Sequence, residues 1–125
     1  MSHFTRIRTK LRNLALVDKA LRDLGYTPSQ GRVKVRGWHG ETRDAELVVQ
    51  MPNGYDFGFR QQGDELIMVV DRWGFREDTT KLLGAINQRY AYQVCVEQAA
   101  AQGFTVVGEE VQPDGSIRVV VQRYT

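Results

Sequence analysis

The chain has 125 residues, 42% of them hydrophobic and 26% charged, with a formal net charge of +2. That suits one domain, residues 1–125, with a single core, and excludes a disordered chain. No apolar run approaches the roughly 20 residues that cross a bilayer. The start, MSHFTRIRTKLR, lacks an apolar signal core, so the chain is expected to stay where it is made, with no membrane partner.

Phe4 to Lys10 reads as a strand, with Thr5, Ile7 and Thr9 on one face and Arg6, Arg8 and Lys10 on the other. Asn13 is placed to cap a helix over Leu14–Leu24, whose Leu14, Val17, Leu21 and Leu24 form an apolar stripe, and Gly25 ends it. After Gly31, Arg32 to Arg36 predicts a second strand, with Val33 and Val35 inward and Arg32, Lys34 and Arg36 outward; Gly37–Glu41 is a loop. Ala45 to Met51 is a third strand. Asn53-Gly54 predicts a type I′ hairpin turn into the alternating Tyr55, Phe57 and Phe59. Glu65 to Asp71 contains LIMVV, a strand covered on both faces.

Thr79 or Thr80 then caps a long helix over Lys81 to Gln102, with Leu83, Ile86, Tyr90, Val94 and Ala101 on one side. Tyr90 belongs to the core on this reading, and Tyr92 packs under the Trp73 loop. Cys95, alone and therefore without an internal disulfide, reads as a small buried thiol among apolar neighbours. Gly103 stops the helix, and a final hairpin carries Ile117, Val119 and Val121 in strand alternation.

These elements imply an α+β fold, an antiparallel sheet of about six to seven strands with two helices packed on one face. Gly25-Tyr26-Thr27 and Gly103-Phe104-Thr105 echo each other at the two helix ends. The pattern therefore also fits two βαββ-like halves.

Several fragments carry a resemblance: Met1-Ser-His-Phe-Thr, Tyr55-Asp-Phe-Gly-Phe59, Asp71-Arg-Trp-Gly74, Gln88-Arg-Tyr-Ala-Tyr92 and Gly103-Phe104. Over nearly its whole length the chain resembles the hypothetical chloroplast reading frame thirty-five family of cyanobacteria and algal plastids, a domain of unknown function. Where the family pattern has two tryptophans, this chain has Arg72-Trp73. The resemblance implies a compact protein of the bacterial cytosol or plastid stroma. It implies no reaction, cofactor or catalytic residue.

The residues themselves point to no catalytic set, cofactor site or metal site. His3, His39 and Cys95 have no ligand spacing. His39 beside Glu41 and Asp44 has the makings of an oriented base, although a histidine between two glycines in a loop is more simply a solvated one. Neither a phosphate-binding glycine loop nor a nucleophile elbow is present.

Charge is the one functional signal in the patterning. Residues 1–43 hold ten Lys and Arg against three acidic residues, a balance of +7, which leaves −5 on the remainder. If the first two strands are neighbours, Arg6, Arg8, Lys10, Arg32, Lys34 and Arg36 share one sheet face with Trp38 at its end. Three functions follow as expectations. The first is a non-catalytic accessory module holding a protein partner on an open sheet face or edge. The second is a nucleic-acid-binding protein using the basic face, and the third is a small enzyme without a recognisable motif. The plain reading beside them is that the basic half pairs with the acidic half of the same chain.

Overall fold

The computed structural model of the chain describes residues 2–123. Met1, at the head of the first family-like fragment, and Tyr124, at the end of the expected last strand, lie outside the described residues. In order the elements are β1 (Phe4–Arg8), α1 (Leu14–Asp23), β2 (Ser29–Arg36), β3 (Thr42–Val49), β4 (Phe57–Gln62), β5 (Glu65–Asp71), α2 (Thr79–Ala101), β6 (Phe104–Val111) and β7 (Ile117–Arg123). The fold is α+β as expected, but its seven strands divide. One antiparallel sheet has the order β1-β5-β4-β3-β2, and β6-β7 is a separate antiparallel pair.

Local chemistry sets the helix ends. The Asn13 side chain accepts the Leu16 N–H at 3.2 Å. At the other end of α1, Tyr26 N–H bonds back to the Leu21 carbonyl and Gly25 N–H to that of Arg22. This is a Schellman motif, and Gly25 takes the left-handed φ of +93° that it requires. The cap of α2 is Asp78 rather than either threonine, its carboxylate accepting from Thr80 N–H and Lys81 N–H. A carboxylate satisfies two orphan donors and meets the positive end of the helix, so it outcompetes a hydroxyl. The turn at Asn53-Gly54 also differs from expectation. Gly54 N–H closes on the Met51 carbonyl, and of the turn residues only Gly54 has positive φ. Type I′ needs positive φ at both central residues, so the link is a longer loop held by the Asn53 side chain.

Two cores result. On the helix side, Val17 and Leu21 of α1 and Leu82 and Ile86 of α2 press on Leu47, Phe57, Phe59, Leu66, Met68 and Val70. Phe57 is the hub, meeting Tyr26 and Phe75 edge-on at 5.4 and 5.8 Å. β5 is buried on both faces from Leu66 to Asp71, as its composition requires. Ile7 packs on this helix-side core, but Val33 and Val35 do not.

Val33 and Val35 belong instead to a second, smaller core with Phe4, Ala45, Val48 and Val69. The expectation of an open, wet face opposite the helices is corrected here. A register shift between Gln30 and Val33, around Gly31, lets β2 curl across the sheet. Val35 then lies over Gly58, where a β-carbon would stand 2.6 Å from its Cγ2. The curl brings the β2 end back to β5 and β1 although no ladder joins them.

The element order βαββ occurs twice, as β1-α1-β2-β3 and β5-α2-β6-β7, with β4 between them. The two hairpins have different fates. The first joins the main sheet; the second packs only on α2. No side chain from Asn87 to Arg123 is buried. Leu83 and Tyr90 reach the helix-side core, while Val94 and Ala101 of the same expected stripe do not join it. Cys95 is exposed, contrary to its sequence reading, because the last turns of α2 overhang the domain.

Candidate functional site

The expected basic face does not assemble. β1 and β2 lie in one sheet but at opposite edges, with β5, β4 and β3 between them. The reason is the apolar run of β5, which must be flanked on both sides, so β1 takes its free edge and not that of β2. Arg6 and Arg8 are exposed, and Arg8 meets Glu65 at 3.1 Å. Lys10 lies past the end of β1. At the far edge Lys34 meets Asp44 at 2.7 Å, and Arg32 is exposed. Arg36 does not stand free as expected, although its side chain is still 44% exposed. Its Nε and Nη2 take both oxygens of Asp56, each at 2.8 Å. Thus three of the six cations pair with carboxylates from the acidic remainder of the chain, as the plain reading held.

The feature that sequence reasoning missed is a pair of buried aspartates. Register places Phe57 opposite Val70, so Asp56 and Asp71 stand side by side at one end of β4 and β5. Both are fully buried. Asp56 also accepts the Arg36 and Met51 N–H groups, at 3.0 and 2.8 Å. Asp71 has no cation on it; it accepts three backbone donors, from His3 at 2.8 Å, Trp38 at 2.9 Å and Trp73 at 2.9 Å. Burial alone would raise both carboxyl pKa values, but the donors outweigh it and hold both below the usual carboxylate range. The signal was present in the sequence: each acid interrupts or closes an otherwise apolar stretch, YDFGF and LIMVVD, where a strand has no solvent for it.

Asp71 thereby ties three separate segments into one corner. Both tryptophans and both histidines of the chain gather there. Trp38 stacks on His39 with ring centroids 3.8 Å apart, and His39 sits at a left-handed φ of 51°. His3 lies 6.1 Å from the Trp73 ring, which is 56% exposed. Only glycine fits at position 37, since a β-carbon would come 2.5 Å from the Asp71 Oδ2 and 2.6 Å from the Phe4 ring. Arg43 lies over the outer side of that ring at 4.3 Å.

Chemically, the corner is a holding device. Every buried side-chain nitrogen and oxygen among the described residues has a partner. No group of three or more His, Cys, Asp or Glu among them is placed to hold a metal ion. No described helix is long and apolar enough to cross a membrane.

A second surface runs along α2. Gly84, Ala91, Tyr92 and Cys95 face Ile117 and Val119 across a cleft of about 570 Å³. Tyr92 belongs to this cleft rather than to the Trp73 loop, with the Arg89 guanidinium 4.3 Å over its ring. Arg89, half-buried, bridges Asp23 of α1 and Glu109 of β6, both at 3.0 Å. Tyr90 turns the other way, and its hydroxyl accepts the Asn13 N–H at 3.1 Å.

A family model described as "Protein of unknown function (DUF1257)" matches residues 20–120. The chain is 30% identical to an uncharacterized protein ycf35 of Cyanophora paradoxa, over 99% of this chain and 98% of that one. It is 33% identical to the protein of the same name from Guillardia theta, with the same coverage. The corresponding figure for Pyropia yezoensis is 29%, again over 99% and 98%. No solved structure matches the chain.

Proposed function

The chain belongs to the DUF1257 family, and we propose that within it the protein is a non-catalytic accessory module that docks a protein partner on the Trp38–Trp73 corner, at the edge of its main sheet. The observation that carries this reading is the placement of both tryptophans on one buried carboxylate, with the Trp73 ring more than half exposed. Tryptophan and arginine are the residues that concentrate binding energy at protein interfaces. Here Trp73 stands beside the exposed Arg72, on backbone that Asp71 fixes before any partner arrives. Pre-ordered anchors reduce the entropic cost of association.

The nucleic-acid reading loses support because Arg8, Lys34 and Arg36 are engaged with carboxylates. The enzyme reading is disfavoured because Asp56 and Asp71, both fully buried, are occupied in holding loops, Asp56 accepting four hydrogen bonds and Asp71 three. The reading places the protein in the bacterial cytosol or plastid stroma.

Capture from the native host with Trp73→Ala beside the parent chain tests it. The parent is expected to retain a protein after nuclease treatment, and Trp73→Ala to lose it at unchanged melting temperature. Nuclease-sensitive capture that weakens steeply with salt would favour the nucleic-acid reading instead. Equal capture by both chains would overturn the corner as the site.

A further inference from the structure

The main sheet has two edge strands, β1 and β2, and only one of them is closed. On β2 the outward backbone is broken by the register shift around Gly31. At Arg36 both backbone groups are taken, the N–H by the Asp56 carboxylate at 3.0 Å and the carbonyl by the Asp56 N–H at 3.2 Å. β1 has no such cover. Arg72 N–H bonds to the His3 carbonyl, and the antiparallel register continues from there, so Thr5 and Ile7 turn their backbone groups toward β5. Phe4, Arg6 and Arg8 therefore turn theirs away, and no backbone group of the described residues meets them. The end of β2 lies against β1 at the Phe4 ring, through Gly37, without a backbone bond between the two.

We propose that β1 takes up an extended segment of the protein partner as an antiparallel sixth strand, and that this segment alternates acidic and apolar residues. An open edge is a template for another strand. The side chains of the occupant follow from the two faces of β1. Arg6 and Arg8 share one face, and Lys10 follows just past the strand, all three exposed. Arg8 meets Glu65, but neither Arg6 nor Lys10 meets a carboxylate among the described residues. An acid beside Arg6 supplies that missing charge. On the other face Thr5 and Ile7 are half-buried and Ile7 packs on the helix-side core, so the alternate residues of the segment meet apolar surface. A second copy of β1 fits poorly, since its own cations would stand against these. The partner is the one of the corner reading, on which this inference rests, because β1 starts at that corner. His3 N–H is held by Asp71, and the His3 ring lies 6.1 Å from that of Trp73.

The probe is a fluorescein-labelled peptide of alternating Glu and Val, about eight residues long and so within the usual length of a strand, read by fluorescence anisotropy. The parent chain is expected to bind it. In antiparallel pairing, opposed residues on one face exchange their backbone bonds, so the Glu residues beside Arg6 present the N–H groups that β1 receives. N-methylation of the Glu amides is therefore expected to abolish binding, and N-methylation of the Val amides to preserve it. Arg6→Glu, at an exposed side chain, is expected to weaken binding about fivefold at unchanged melting temperature, as an attractive cross-strand pair becomes a repulsive one. No binding by the parent chain, or binding indifferent to methylation of the Glu amides, would overturn the proposal. In capture from the native host, a partner lost by Trp73→Ala yet held fully by Arg6→Glu would also overturn it while leaving the corner standing. A peptide bound as expected, beside equal capture by Trp73→Ala and the parent, would remove the corner and keep the edge.

Discussion

Two regions of this molecule are built from similar parts and held in different ways. Residues 2–86 carry the whole buried core, and β2 is drawn across the sheet by Asp56 and Asp71 until the fold covers itself. Residues 87–123 repeat the helix-then-hairpin pattern with no buried side chain. The difference lies in what each hairpin finds beside it. β3 pairs with β4, so the first hairpin gains a ladder and a face, while neither β6 nor β7 pairs with any other described strand. A supersecondary unit becomes stable through its neighbours more than through its own turn and strand chemistry.

The sharpest way to break this comparison is to cut the tie in the first region. Asp71→Ala leaves the N–H groups of His3, Trp38 and Trp73 without their acceptor. Each buried orphan donor costs about 1–3 kcal/mol, so a total loss of about 4 kcal/mol is expected in urea denaturation. Glu110→Ala, on the exposed hairpin, is expected to change stability by less than about 0.5 kcal/mol. Similar losses from both would mean that the arm shares the core after all.

Acid is the gentler version of the same cut. The folded pKa values of Asp56 and Asp71 are lowered, so their contribution is complete above the unfolded aspartate value of about 3.9. It is lost as pH falls through the lower folded values. Melting temperature is therefore expected to stay level down to about pH 5 and to drop below about pH 4. Asp71→Asn should flatten that drop. Asp114→Asn should not, although Ser116 lowers the Asp114 pKa as well, because that carboxyl is exposed on the arm.

What the sequence made legible follows the same division. Period-2 alternation, the Asn13 cap and Gly25 located the elements of the first region, and the apolar LIMVV run correctly announced an interior strand. The strand order was not legible. Alternation says which side chains share a face of a strand but nothing about which strand lies beside it, so Arg6 and Arg36 looked like neighbours. The site was hidden for a related reason. The distant partners of Asp56 and Asp71 are the Arg36 guanidinium and the N–H groups of His3 and Trp38, and nothing in a linear sequence says that these will arrive at those carboxylates. In α2 the apolar stripe was real, but a stripe shows only that a surface is suited to burial. Beyond Ile86 the described elements cover that surface only in part, leaving Tyr90 and Val94 half-buried and no side chain fully buried.

The finest division between the regions is Arg89, where the arm is fastened to the rest. Its guanidinium spans Asp23 and Glu109 at 3.0 Å while lying over Tyr92. Its side chain is 17% exposed, so solvent screens these bonds less than it screens a surface pair. Hydrogen bonds to charged partners contribute about 1.5–3 kcal/mol, and the exposure of Glu109 places the expected cost of Arg89→Ala near the lower end. The cost should also be local, because α1 and the sheet keep their own core when the bridge is gone. In hydrogen exchange at fixed protein concentration, the β6-β7 amides should lose protection while those of β4 and β5 keep theirs. A uniform loss across both sheets would show the two regions opening as one unit, and Arg89 would then be part of a single cooperative core rather than the fastening between two.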